Sequence, residues 1–158
     1  MRELRGKRCV VTGGRTYATQ PMYPNDEQAA KYEKEISDLE RALDALQPSE
    51  LGEGGAKGMD AASREWALTN IRKIPCKQYE ANWALHGKLA GHIRNGRMLD
   101  DFKPDYVLAG PGGAGTANCV ASAKQRGIPV VTIEQVLVWA RVDERREEER
   151  EAHQTARR

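Results

Sequence analysis

The chain has 158 residues, of which 39% are hydrophobic and 30% are charged, a composition typical of one soluble globular domain. Its 25 basic residues nearly balance its 23 acidic residues, and this net charge of +2 argues against a dedicated duplex-DNA binder. No apolar run approaches the ~20 residues of a membrane span, and the charged N-terminus lacks a signal-peptide pattern, so the sequence predicts a cytoplasmic protein without membrane contact.

The first part of the chain predicts a strand, a loop and a long helix. Residues 8–12 form a short β-branched run that ends at a pair of glycines, the pattern of a buried strand entering a tight loop. A loop is predicted over 16–27. Apolar residues at three- and four-residue spacing then predict a helix over 27–46, with Asn25 or Asp26 as its N-cap.

The middle of the chain is less regular. Residues 49–53 are a poor strand by propensity, yet they lie directly before a second glycine-rich turn at 54–58. A helix is predicted over 60–69 and a short strand over 71–75. A loop is predicted over 79–87, and it leads into a further helix.

The last part has the clearest elements. After a helix over 87–100, residues 105–109 predict a buried strand that enters a third glycine-rich turn at 110–116. A helix to about Gln125 and a strand over 128–133 follow. Strands that alternate with helices indicate an α/β fold with a parallel sheet, whose ligands bind outside the carboxyl ends of the strands.

Two domain-level segments are predicted. Residues 1–140 form the α/β domain, and 141–158 form a charged tail that is either a helical extension or disordered. The last 16 residues contain six acids and five arginines and almost nothing apolar, so this segment has no core of its own.

The three glycine-rich turns suit phosphate binding, because glycines let backbone N–H groups approach an anion and each turn opens a helix whose N-terminus is positive. None of them matches the Walker pattern or the dinucleotide Gly-x-Gly-x-x-Gly pattern, which disfavours a kinase or a hydride-transfer enzyme. Arg15 and Lys57 add cations and Thr116 adds a hydroxyl. The candidate phosphate-binding residues are Thr12, Gly13, Gly14, Arg15, Gly54, Gly55, Lys57, Gly58, Pro111, Gly112, Gly113, Gly115 and Thr116.

Four sequence blocks, in order, carry a family resemblance: residues 11–15, 54–60, 82–99 and 111–116. Together they resemble the YspA-like (cpYpsA-related) branch of the SLOG superfamily, over about residues 8–133. That superfamily also contains LOG-type phosphoribohydrolases and DprA. The resemblance implies a Rossmann-like three-layer fold, with a mostly parallel central sheet and helices on both faces, that binds nucleotides or nucleotide derivatives. Relatives of this branch are frequent in phages and mobile elements.

One departure from the LOG-type enzymes concerns catalysis. Those enzymes place a glutamate after the Pro-Gly-Gly-x-Gly-Thr block, whereas Ala117, Asn118 and Cys119 follow it here. Arg94 matches the enzymes' arginine. The sequence therefore leaves enzymatic activity uncertain and leans against it; if the chain is an enzyme, Asp60 and Arg94 are the catalytic candidates.

Each remaining candidate has a structural alternative. Arg94 and Asn95 are expected to contact the ligand, although Arg94 could instead pair with Asp100 or Asp101. Asp60 either contacts a ribose or a base or caps a helix.

Trp83 and Tyr17 are candidates for stacking on the ligand, with core packing as the alternative for Trp83. His86 and His92 lack a metal-ligand partner at helical spacing, and the three cysteines are widely spaced. We expect reduced thiols, no metal and no cofactor other than the nucleotide-type ligand.

Three functions follow from these residues. The first is a sensor or sponge-like sequestering protein, phage-encoded, for a signalling nucleotide of ADP-ribose, NAD-derived or cyclic type. The alternatives are a LOG-like N-glycosidic phosphoribohydrolase and a DprA-like single-stranded nucleic-acid binder, the latter disfavoured by the balanced charge. A homo-oligomer, a dimer or larger, is expected through the 27–46 helix or the C-terminal helix.

Overall fold

A five-stranded parallel sheet forms the centre of the protein. The computed structural model describes residues 1–157. The sheet order is β3-β2-β1-β4-β5, and every neighbouring pair is parallel. The strands are β1 (Arg8–Thr12), β2 (Glu50–Glu53), β3 (Cys76–Gln78), β4 (Tyr106–Ala109) and β5 (Val130–Thr132).

Helices cover both faces of this sheet and complete three layers. One face carries α1, α2 and α6, and the other carries α4 and α5. The helices are α1 (Asp26–Leu46), α2 (Met59–Thr69), α3 (Trp83–His86), α4 (Ala90–Phe102), α5 (Ala114–Gln125) and α6 (Ile133–Ala156), with 3-10 turns at Arg2–Leu4 and Gly87–Leu89. The Rossmann-like three-layer α/β fold is therefore confirmed.

The central strands bury side chains on both faces, which explains their continuous apolar runs. In β1, Cys9 and Val11 face the layer of α1, α2 and α6, while Val10 faces α4 and α5. In β2, a Cβ on Gly52 would lie 3.1 Å from both the Phe102 ring and Val10, so only glycine fits beneath that ring without a shift.

In two segments the observed structure differs from what local strand propensity predicts. The ambiguous segment 49–53 forms β2, because pairing with β1 and β3 outweighs its weak propensity. The strand predicted over 71–75 is wrong: this segment is a turn and an extended connection, Ile71 is 97% exposed, and Lys73 has a φ of 48°. Pairing begins only at Cys76.

The other boundaries shift by a few residues. The loop predicted over 79–87 contains the single turn of α3, since Asn82 accepts the Leu85 N–H as an N-cap. The helix predicted over 87–100 begins later, at Ala90, after a 3-10 turn. The strand predicted over 128–133 is limited to β5, because the Thr132 and Gln135 capping box starts α6 there.

The charged tail is helical as far as Ala156. α6 runs without a break through position 140 to Ala156, and beyond Asp143 every described residue is exposed. The last residue of the predicted tail, at position 158, lies outside the described residues. Within residues 1–157, no helix is both long and apolar enough to cross a membrane.

Packing of α1 on the sheet is expected to dominate the stability of this layer. Leu43 is fully buried in the cluster that joins α1, α2 and α6. We expect Leu43→Ala to lower the free energy of unfolding by about 2–5 kcal/mol, through lost burial and the cavity left behind. Leu68→Ala is the matched control, since Leu68 is 67% exposed on α2. Denaturant titration measures both, and an equal loss in the two variants would contradict this packing.

Candidate functional site

The candidate site lies at the switch point of the sheet, where the order of the strands changes from one side of β1 to the other. β2 and β3 lie on one side of β1, whereas β4 and β5 lie on the other. Open parallel sheets bind ligands in the crevice at such a switch point, outside the carboxyl ends of the strands. A cleft of about 380 Å³ lies there, formed by the turns after β1, β2 and β4 and by the segment from α3 to α4.

The three turns meet at Gly14. Its N–H donates to the Pro111 carbonyl at 2.7 Å, and its own carbonyl accepts the Met59 N–H at 3.4 Å. A Cβ on Gly14 would lie 3.1 Å from the Pro111 oxygen, and one on Gly58 would collide with the Gly14 oxygen. Gly58 also has a φ of 76°, which favours glycine. These two glycines therefore serve the packing of the turns against each other.

The N-terminus of α5 is the part of the cleft best suited to an anion. Gly113 is its N-cap, no side chain of residues 1–157 caps it, and its first turn contains no acid. Ala117 is the first residue to donate back, to Gly113 at 3.0 Å, so the N–H groups of residues 114–116 have no partner within the described chain. Unpaired donors and the positive end of the helix dipole together bind anions.

The turn after β2 is different, because the chain's own carboxylates occupy its amides. Asp60 Oδ2 accepts the Gly54 and Ala56 N–H groups at 3.1 and 3.2 Å, and Glu53 Oε2 accepts the Gly55 N–H at 2.5 Å. The amides of Gly54 and Gly55, which are predicted to bind phosphate, and the next amide, that of Ala56, are thus already paired. A phosphate here would have to displace two buried carboxylates.

Those two carboxyl groups lie in a low-dielectric environment. Asp60 is 5% exposed and Glu53 is fully buried. Burial raises the pKa of both carboxyls, and this effect outweighs their backbone hydrogen bonds and the nearby guanidinium groups of Arg64 and Arg94. Arg64 lies 3.5 Å from Glu53 Oε1. Asp60 alone of the two lines the cleft.

Arg94 joins the β2 turn to α4. It donates to the Gly54 carbonyl, and its Nε donates to Asn95 Oδ1 at 2.9 Å. It pairs with neither Asp100 nor Asp101, which bind Arg126 and Lys77 instead, each at 2.7 Å. Arg94 lines the cleft, but its guanidinium already donates hydrogen bonds within the protein, to the Gly54 carbonyl and to Asn95.

Asn95 connects α4 to α5. It is 3% exposed, and its Nδ2 donates to the Gly115 carbonyl at 3.2 Å and to Asn118 Oδ1 at 3.1 Å. This residue fixes the N-terminal turn of α5, which carries the unpaired amides.

Basic and aromatic side chains lie at the mouth of the cleft. Arg15, Lys88 and His92 are exposed and line it. The Arg15 guanidinium lies 5.9 Å from the centre of the Trp83 ring, and Trp83 is half exposed, which excludes the core role for this tryptophan. Sequence reasoning did not place Lys88 or His92 in the ligand site. Lys88 and His92 are four residues apart, which places them on one side of the segment that enters α4, and this spacing was the available signal.

The structure brings twelve of the predicted site residues together around this cleft: Thr12, Gly13, Gly14, Arg15, Gly54, Asp60, Trp83, Arg94, Asn95, Gly113, Gly115 and Thr116. Gly58 and Gly112 belong to the packed turns behind it. Gly55 borders a neighbouring cavity of about 210 Å³, which Arg15 and Trp83 also line.

Three predicted residues lie away from the cleft. Tyr17 is 8% exposed on the other face of the sheet, where its hydroxyl donates to the Glu35 carbonyl at 3.3 Å, so it does not stack over this cleft. Pro111 lines a second cavity on that face. Lys57 is exposed and does not line the cleft.

Metal-ligating groups are dispersed. Within residues 1–157 no three His, Cys, Asp or Glu side chains are placed to hold a metal ion. The three cysteines are free thiols, and burial raises the pKa of Cys9 to about 12.

The fold and the cleft define an α/β protein with an open crevice at a switch point of its parallel sheet. The chain is similar to the "Gene 61 protein" of Mycobacterium phage D29, with 36% identity over 83 residues. This match covers 49% of the chain and 66% of the phage protein, just under two thirds of its length. No family model matches the chain, and no solved structure matches it.

Asp60 gives a prediction for the pH dependence of stability. Its pKa is raised above the ordinary 3.8 in the folded state, so it stabilises the fold at low pH and this contribution is lost as the pH rises through the folded pKa. Asp60→Asn keeps an oxygen acceptor for both amides but does not ionise. We expect the variant to gain stability relative to the wild type from about pH 4 to about pH 7.

Denaturant titrations across this pH range measure the difference. Glu65→Gln is the control, because Glu65 is an exposed carboxyl on the same helix. A difference between Asp60→Asn and the wild type that does not change with pH would show that the Asp60 carboxyl is not perturbed by burial.

Proposed function

We propose that the chain binds a nucleotide or nucleotide-derived signal in the cleft between the turns after β1, β2 and β4, here called the glycine-turn cleft, and acts as a sensor or sequestering protein. The observation that carries the proposal is the uncapped N-terminus of α5, whose unpaired amides face a cleft at the switch point of the sheet. Arg15 and Lys88 add positive charge beside it, and His92 lines the same mouth. The resemblance to SLOG proteins in the turns after β1, β2 and β4 supports the same ligand class.

The distribution of charge gives the ligand an orientation. Its phosphate would lie at the N-terminus of α5, where the amides are free. Asp60 at the other turn would repel a second phosphate but suits a ribose hydroxyl, which can donate to a carboxylate. Arg15 and Trp83 at the mouth suit the face of a base.

The size of the cleft narrows the ligand class further. Small-molecule sites measure about 300–1,000 Å³, so 380 Å³ is near the lower limit. One set of free amides and a small cleft favour a ligand with one phosphate, such as a cyclic or simple mononucleotide, over ADP-ribose or NAD.

An N-glycosidic phosphoribohydrolase is the second candidate, and Asp60 is the observation that favours it. Its Oδ2 accepts both turn amides, which leaves Oδ1 as the oxygen available to carry a proton toward the cleft. A raised pKa suits a general acid that protonates a departing base while water attacks C1′. Binding remains the first candidate because no acid follows the third glycine turn.

The deciding experiment identifies what the protein holds. The purified chain is incubated with mononucleotides, cyclic nucleotides, ADP-ribose, NAD and a short oligonucleotide, washed and heat-denatured, and the released compounds are weighed by mass spectrometry. We expect one intact mononucleotide-class ligand at near-stoichiometric yield. Free base with ribose phosphate, lost in Asp60→Asn, would establish the hydrolase instead. Release of nothing, or of the oligonucleotide in a strongly salt-dependent manner, would overturn the proposal.

A single substitution tests where the anion lies. Space is open around Gly115 in the first turn of α5. We expect Gly115→Asp to weaken binding of the identified ligand by about tenfold or more, because its carboxylate competes for the free amides. The helix itself is expected to gain about 0.3–1 kcal/mol from an acid at its N-terminus.

Gly115→Ala is the matched control, since it adds a side chain without charge. Calorimetric titration gives the affinities, and thermal unfolding shows that both variants fold. If Gly115→Asp binds as tightly as Gly115→Ala, the anion does not lie at α5.

A further inference from the structure

A second and larger cavity lies on the opposite face of the sheet. It measures about 850 Å³ and runs between α1 and α6. Tyr17 and Pro111, which sequence reasoning assigned to the nucleotide site, both line it. Neither the glycine-turn cleft nor the proposed nucleotide function uses this cavity.

Its floor is apolar. Ile133 and Leu137 lie one turn apart on α6, and Ala109 at the end of β4 lies beside them. All three side chains are at least nine-tenths buried, so they are packed against the sheet and present only a small apolar surface to the cavity. Such a surface suits the hydrocarbon or aromatic part of a ligand.

The walls carry charges that are mostly paired. Lys34 lies 2.5 Å from Asp38, and Lys31 lies 3.7 Å from Glu35. Glu35 also accepts the Ala18 N–H at 2.9 Å. These four side chains neutralise one another along α1 and leave little net charge for a ligand.

Two arginines are the exception. Arg41 on α1 and Arg141 on α6 line the same cavity from facing helices, and neither forms an ion pair with a carboxylate of residues 1–157. The remaining acid, Glu134, lies in the first turn of α6. Seven residues of helix separate it from Arg141, about 10 Å along the axis. The cavity thus has an apolar floor with unpaired positive charge at one end.

We propose that this cavity is a second binding site, for a small amphipathic anion. An apolar body would lie on Ile133 and Leu137, and a carboxylate or phosphate would lie between Arg41 and Arg141. Guanidinium groups favour this contact because they bind both kinds of oxyanion in a bidentate manner.

The test uses anilinonaphthalene sulfonate, an apolar fluorophore with one anionic group, on the folded full-length chain. We expect saturable binding that decanoate and decyl phosphate displace and that neutral decanol displaces at least about tenfold more weakly. The order of decanoate and decyl phosphate then distinguishes a carboxylate from a phosphate ligand. The variant Arg41→Gln/Arg141→Gln is expected to lose about tenfold or more in affinity for both anions.

Arg72→Gln/Arg145→Gln is the matched control, because it removes two exposed arginines that do not line the cavity. Circular dichroism shows that both double variants fold, and nucleotide binding in the other cleft is measured in parallel. Equal loss in the two double variants, or equal displacement by decanol, overturns the proposal. So does a dimer in sedimentation analysis that the cavity variant alone dissociates, since a second copy would then be the occupant.

Discussion

The absence of a side chain at Gly14 is the constraint on which the cleft depends. The turns after β1, β2 and β4 come within hydrogen-bond distance of one another there, through the Pro111 carbonyl and the Met59 N–H. A Cβ at Gly14 would crowd the Pro111 oxygen. Because the turns meet behind the cleft, the first turn of α5 is held at a fixed place relative to β1 and β2. A cleft held in this way would need no rearrangement before a ligand binds, which would reduce the cost of association.

Two sets of amides at the carboxyl edge of the sheet have opposite roles. At the β2 turn, Asp60 and Glu53 supply the negative charge that the amides attract, so this turn is complete without a ligand. At α5, the helix begins without an acid or a capping side chain among the described residues, and its amides are free. Two similar glycine-rich sequences therefore differ in their backbone amides. The amides of the β2 turn are paired because two carboxyl groups accept from them, whereas those at α5 have no such acceptor.

The sequence was sufficient for the layer architecture because alternation of buried strands and amphipathic helices leaves few other arrangements. It was also sufficient to place the turns after β1 and β4 at one edge of a parallel sheet. It failed at 71–75, where an isoleucine-rich pattern looked like a strand but pairing with β2 begins at Cys76. Local propensity carries no information about which residues pair with a neighbouring strand.

Within the site, the spacing of glycines in the sequence identified the turns but not the structural role of each glycine. Gly14 and Gly115 look equivalent in sequence, yet one is required by neighbouring backbone and the other faces open space. Tyr17 was misplaced for a related reason: the loop after β1 turns toward α1, and its ring is buried on the far face of the sheet. The direction of a side chain at the end of a central strand depends on which layer the next helix joins, and this is a tertiary property.

The segment from Ala109 to Thr116 lines a cavity on each face of the sheet. Pro111 lines the cavity between α1 and α6, whereas Gly113 and Gly115 line the cleft on the side of α4 and α5. The Pro111 carbonyl is fixed by the Gly14 N–H at 2.7 Å, at the junction of the three turns. Because this one short segment lines both cavities, ligand binding on either face is expected to depend on its conformation.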